Sequence, residues 1–466
     1  MNINSVINKS VDLKNVEKII YRTFFIIIFS LPLIPEITHF GIYSLKYMLF
    51  NFFTIATLLV FLFISFLKIY DRNNQKSILD SLKKSDIKLN LLDIFIFTYF
   101  ILVIFSSVLT KFGFINTFLG NNGRGEGVLT IFCYIATFYL FKNGVKYIGN
   151  MWKFAIFNVI IVSLYSIIQA NFPQGFGEPF SPVHLTNVAT GTMKNQNFLS
   201  SYVCIFLPTF MYIFIVSKKK LILIPTAMLF STLIFSKTLG GYLTVICMFF
   251  IIVLSTLIFY KPRKITLIKI LILTATCISV FLLISLIKST SYAEELMDSK
   301  QEIEKLANKD DSFGTLRLAI WKKSIMIISN NPLFGVGPDS MANELASNSY
   351  LTDGKNDILN KYILDKSHCE FLHIAVTTGL PSLIAYLSFI LYICFKLFLL
   401  VFNKHISCIK NKLSISNDTI FITAIFIGII SYLMQSTINI SVIQVAPVFW
   451  AFLGIGTSFI DKKNTL

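Results

Sequence analysis

Apolar runs of roughly 18–25 residues recur along this chain from end to end, each long enough to cross a ~30 Å hydrocarbon layer as a helix. Inside lipid every backbone N–H and C=O must find a partner within the protein, so only helices and closed barrels span a membrane. The alternating ten-residue segments of a barrel are absent. Charged residues make up 14% of the 466 and hydrophobic ones 55%, whereas a soluble domain carries roughly 25% charged residues. The expected fold class is an all-α polytopic membrane protein with about 12 transmembrane helices and a large helical external loop between helices 9 and 10. The spans are expected at roughly 19–35, 43–67, 92–110, 127–141, 154–170, 197–217, 221–236, 241–260, 266–287, 371–402, 419–438 and 441–460. Three units follow: 1–287 with helices 1–9, the loop 288–368, and 369–466 with helices 10–12.

Positive charge sets the expected orientation. With the N-terminus inside, cytoplasmic segments hold 26 of the 41 Lys and Arg, short external loops hold 5, and the long loop 288–368 holds 10. Both termini are then cytoplasmic and the long loop is external. The formal net charge of +17 follows from this sorting and from attraction to anionic headgroups, so membrane lipids are expected partners. No basic soluble face suggests nucleic-acid binding. The first eighteen residues are polar and no cleavable signal is evident. The seven Cys are scattered, with no CxxC and no disulfide framework.

Lys outnumbers Arg 36 to 5, so each Arg asks for a reason. Arg124 and Arg317 are the two expected outside. Arg124 and Glu126 sit in Gly120–Gly127, a glycine-rich entry to the fourth span. An interfacial pair and an Arg presented to phosphate are both compatible with that placement. Segment 171–200 is rich in Pro, Gly and Asn and enters the sixth span through Asn195-Gln196-Asn197, where amides commonly cap a helix. His184 is a lone loop histidine. Lys237 lies in a short external turn, Ser236–Gly241.

The long loop is the most informative stretch. Residues 291–309 read as a solvated, charge-paired helix. A second helix starts near Ser312 and is stopped by Asn330-Asn331-Pro332. On it Arg317, Trp321, Ser324 and Ile328 share a stripe, beside an apolar strip of Leu316, Ile320 and Ile327, a pattern suited to a membrane surface. Pro332–Gly337 is a compact turn with two glycines. His368, Glu370 and His373 follow, but H-x-E-x-x-H is not the zinc-helix pattern H-E-x-x-H, and no cofactor is expected.

In order, Arg124–Gly127, Gly191–Asn197, Ser236–Gly241, Arg317 with Trp321, Pro332–Gly337, and His368–Glu370–Leu372 before Gly379-Leu380 resemble the motifs of the O-antigen ligase and O-antigen polymerase superfamily over nearly the whole chain. Lys237 departs from an Arg usual in that family's turn; it keeps the charge but loses the bidentate fork. The resemblance implies an enzyme of the cytoplasmic membrane facing outside, an inverting and metal-independent glycan transferase. Its donor is an undecaprenyl-pyrophosphate-linked glycan. Its acceptor is another glycan, a lipid, a wall polymer or a protein.

The residues agree with that chemistry. A sugar diphosphate has a good leaving group already, so the site needs cations for the diphosphate and a base for the acceptor hydroxyl. Arg pairs bidentately with phosphate oxygens, and His has an unperturbed pKa of ~6.5. His368 and Arg317 are the expected catalytic residues. Arg124, Lys237, Glu370, Trp321 and Asn197 are the expected substrate contacts. A transporter or flippase is the rival reading. It would place ionisable groups at mid-membrane, whereas here the mid-span segments are nearly uncharged.

Overall fold

A computed structural model describes residues 13–35, 44–73, 90–120, 124–172, 188–260, 263–287, 304–305, 308, 313–347, 364–411 and 414–464. Most of the expected helix 291–309, together with His184 and Asn121–Gly123, lies outside these residues. Among the described residues the chain is helical, with no strand. The helices are α1 Leu13–Ser30, α2 Leu45–Asn73, α3 Leu91–Leu109, α4 Phe114–Leu119, α5 Val128–Ile148, α6 Trp152–Asn171, α7 Gln196–Val216 and α8 Leu223–Ser236. Then come α9 Leu239–Phe259, α10 Arg263–Ile287, α11 Phe313–Asn330, α12 Met341–Ser347, α13 Glu370–Thr378, α14 Leu380–Lys410, α15 Asn417–Ser436 and α16 Ala446–Asn464.

Among the described residues, eight stretches are long and apolar enough to cross a membrane, and the chain is a multi-pass membrane protein. One of them, Val128–Asn171, holds α5 and α6 and therefore two of the expected spans. The other three expected spans fall on α1, α8 and α16, of which α8 and α16 are apolar but shorter. The tenth span needs correction. It was expected to begin at 371, but Gly379, with φ +88°, separates α13 from α14, and the long apolar helix starts at Leu380.

The bundle is organised around α7. Nearly every residue from Phe198 to Ile215 is buried, with α8, α9 and α15 packed against it. A helix apolar on all sides belongs in such an interior. Asn195 starts it, its side chain accepting from the Asn197 N–H at 2.7 Å, which is the capping role its sequence suggested. The outer helices α9 and α10 instead expose Leu243, Phe250, Leu254, Leu271 and Leu283, as lipid-facing surfaces do. A second junction joins α16 to α5 and α14, where Trp450 stacks with Tyr134 and Phe389 at centroid distances of 6.1 and 5.7 Å.

The segment from α11 to α13 has a small core of its own, made by Ile320, Ile327, Val336, Met341 and Val376. The apolar strip of α11 was expected to suit a membrane surface. Its members Ile320 and Ile327 are instead covered by protein, because α11 packs on α13. Lys111 at the end of α3 pairs with the buried Glu344 of α12 at 2.9 Å and ties this core to the bundle.

Candidate active site

Glycine geometry locks the loop in place. After α11, the Val336 N–H donates to the Val376 carbonyl at 3.0 Å and the Gly337 N–H to the Thr377 carbonyl at 2.8 Å. The Leu380 N–H reaches back to the Pro332 carbonyl at 2.8 Å. From α3, Thr110 Oγ1 donates to the Val336 carbonyl and Ser106 Oγ to the Thr377 carbonyl. Gly335 and Gly379 have φ of +64° and +88°. A Cβ on Gly335 would collide with the Thr377 backbone, and one on Gly379 would fall on the Leu333 carbonyl. The two glycines allow two stretches of backbone to touch, and the touch fixes α11 to α13.

This arrangement brings His368 near two arginines from distant segments. His368 lies two residues ahead of α13 in left-handed backbone, φ +48°, a strained conformation for a non-glycine residue. Its imidazole is pushed down to about 4, first by burial, then by the Arg317 guanidinium, with Arg124 acting the same way and Asp365 opposing. Arg124 Nε donates to Asp365 Oδ2 at 2.6 Å. The same guanidinium lies 5.6 Å from the centre of the Phe198 ring, in the first turn of α7. Arg124, Arg317 and His368 thus converge, with Asp365 and Phe198 between elements.

Behind them is a cavity of about 60 Å³ lined by Glu126, Asp339, Lys366, Glu370, His373, Tyr134 and Tyr386 among others. Lys366 and Asp339, each 1% exposed, pair at 3.0 Å. The Glu126 N–H donates to Asp339 Oδ2 at 3.4 Å, and its carboxylate accepts from Tyr134. Tyr386 Oη donates to Glu370 Oε1 at 2.6 Å. Burial raises Glu126 and Glu370 to about 7; Lys366 works against this at Glu126, and Tyr386 at Glu370. His373 is driven well below its ordinary value, first by burial, then by Lys366 and His368. Its Nδ1 is buried without a hydrogen-bond partner.

The expected residues therefore divide. Arg317 and Arg124 both act electrostatically on His368. Trp321 is one turn beyond Arg317 on α11, half-buried, with its Nε1 buried and unpartnered. Asn197 sits beside Phe198, and its carbonyl accepts from Asn439 Nδ2 at 2.8 Å. Glu370 is buried and lines the inner cavity, which His368 does not line. Lys237 caps the end of α8 in left-handed backbone, and it is not among the groups that act on His368 or His373. Sequence reasoning missed Asp339, Asp365 and Lys366. The signal was there: Asp365-Lys366 stands within three residues of His368, and Asp339 stands two residues after Gly337 of the Gly-x-Gly turn.

The helical bundle with this polar cluster at the ends of its helices is that of a multi-pass membrane protein. Residues 200–387, less than half of the chain, match the sequence model of the O-antigen ligase family. The match takes in Lys237, Arg317, Trp321, His368 and Glu370, while Arg124 and Asn197 lie before it. A search of curated proteins gave no match.

Proposed function

We propose that this chain transfers or polymerises an undecaprenyl-diphosphate-linked glycan at the outer face of the cytoplasmic membrane, with inversion at the anomeric carbon and without a metal. The observation that carries the reading is the convergence of Arg124, Arg317 and His368 from three separate segments. In this mechanism His368 accepts the proton of the acceptor hydroxyl as its oxygen attacks the anomeric carbon. The bond from that carbon to the diphosphate oxygen breaks, and the diphosphate leaves with the electron pair. Arg124 and Arg317 hold the departing charge through bidentate contacts.

The depressed histidine fits this order of events. Without donor, two nearby cations and burial keep the imidazole neutral, the form able to take a proton. A bound diphosphate offsets the cations, so the proton affinity of His368 rises once the donor is in place. Trp321 offers its unpartnered indole N–H to the substrate, and Asn197 and Lys237 line the approach from α7 and α8. Glu370 supports α13 from behind through Tyr386. The topology that accompanies this reading has twelve spans, both termini cytoplasmic and the loop outside. It is supported by the 26-to-5 sorting of Lys and Arg between cytoplasmic segments and short external loops. The acceptor decides between polymerase and ligase.

Arg317→Ala and His368→Ala, each verified for membrane expression, are expected to accumulate undecaprenyl-linked glycan and to lose the mature surface product. Normal surface glycan from both variants would refute the assignment.

A further inference from the structure

A cavity of about 930 Å³ lies at the other end of the bundle from the candidate active site. α7 begins beside Arg124 and ends here after 21 residues, a length of about 31 Å. The ends of α7, α9 and α14 and the starts of α10 and α15 surround the cavity. Its lining is divided in kind. Lys218, Lys219 and Lys269 supply three cations, and none of the lining residues is acidic; the nearest acid in sequence is Asp418, exposed, next to the lining Asn417. Ile215, Val216, Phe259, Ile265, Ile409 and Ile420 supply an apolar wall.

Lys269 makes the arrangement more than a surface charge run. It belongs to α10, whose neighbouring Leu267, Ile268 and Leu271 are exposed as a lipid-facing surface. Lys269 instead turns inward, and its Nζ donates to the Ser217 carbonyl that closes α7. An ammonium has three donors, so this bond orients the cation without using up its capacity. At the rear wall Tyr260 is bonded to Tyr212 and meets the buried His405 Nε2 at 3.5 Å, so a polar surface closes the cavity deep among the helices.

We propose that this cavity is a binding site for an anionic phospholipid. The phosphate-bearing headgroup pairs with Lys218, Lys219 and Lys269. The glycerol backbone and first acyl methylenes lie on the apolar wall and continue onto the exposed side of α9 and α10. A free phosphate would use the cations and leave the apolar wall uncovered, whereas a zwitterionic lipid would use the wall and bring its own cation against the lysines. An anionic lipid satisfies both halves. Its position, one helix length from Arg124, separates this site from glycan chemistry, and the inference stands whether or not the proposed reaction is correct.

The test is retention of lipid by the purified full-length protein after reconstitution in nanodiscs holding equal phosphatidylglycerol and phosphatidylcholine, read by native mass spectrometry after release. The wild type is expected to retain phosphatidylglycerol preferentially. That preference should fall roughly fivefold for each lysine changed to Gln, as expected for about 1 kcal/mol per basic residue near an anionic surface. Lys269→Arg should keep it. Ile420→Trp, which intrudes on the apolar wall and leaves every cation in place, should weaken it. Millimolar inorganic phosphate should not compete. Equal retention of the two lipids by the wild type, unchanged preference in the Gln variants, or full displacement by inorganic phosphate would each overturn the assignment.

Discussion

The electrostatic dependence of His368 on Arg317 can be measured without any glycan. In the free protein the ring is lowered from 6.5 to about 4, a preference for the neutral form of roughly 3 kcal/mol at ~1.4 kcal/mol per pH unit. Burial is the larger cause and Arg317 the next. In an effective dielectric of about 20 two unit charges interact by ~4 kcal/mol at ~4 Å and by about half that at twice the separation. Arg317→Gln should therefore raise the midpoint by roughly one to one and a half pH units, leaving it short of 6.5 because burial persists. The assay is a pH titration of histidine-labelled protein in nanodiscs by NMR. With five histidines in the chain, the His368→Gln spectrum gives the assignment. Adding a non-hydrolysable diphosphate analogue to the wild type should move the midpoint the same way. The sign for stability follows: the folded value is below the unfolded one, so this contribution is complete above about 6.5 and is lost as pH falls toward 4. A midpoint near 6.5 in the wild type, or one indifferent to Arg317→Gln, would refute the convergence of these groups.

Four other outcomes are expected. Asp365→Asn should lower the His368 midpoint further, since Asp365 is the group that raises it, and should release Arg124 from its carboxylate, a change visible in the same titration. Lys366→Met removes the ammonium paired with the buried Asp339 and should cost about 3–5 kcal/mol, read as a fall in thermal unfolding midpoint; adding Asp339→Leu should recover part of it. Glu370 is raised from 4.5 to about 7 in the folded protein, so its contribution is fully present below about 4.5 and is lost as pH rises through 7. Wild type should thus lose up to ~3 kcal/mol relative to Glu370→Gln between pH 5 and 9, measured by unfolding at each pH. Gly379→Ala places a side chain at φ +88° against the Leu333 carbonyl. It should cost at least ~1–2 kcal/mol and speed proteolysis between α11 and α13.

The membrane helices were legible because lipid leaves a chain one simple solution, and nine of the twelve expected spans lie mainly on the eight long apolar stretches among the described residues. The ends of α11 were legible for a local reason: Asn330-Asn331-Pro332 terminates it as turn chemistry requires. The break at Gly379 was harder to read. Phe371–Thr378 is apolar enough to join the following helix, and only the contact with Leu333 and Phe334 shows why a glycine is needed there. Arg scarcity led to Arg124 and Arg317, and the structure sets both beside His368. The pairing of Arg124 with Asp365 was not legible, since 241 residues separate them and an aspartate among surface residues carries no local mark. Glu370 looked like a companion of His368 from its spacing. The turn into α13 sends it instead toward Tyr386.

The backbone clasp between Pro332–Gly337 and the end of α13 divides labour along the chain. Arg317 and His368 are 51 positions apart in sequence, yet their relative placement is set by α11, the clasp and α13, all outside residues 348–363. The register of arginine and histidine thus rests on Gly335 and Gly379, two positions where any side chain would push the touching backbones apart.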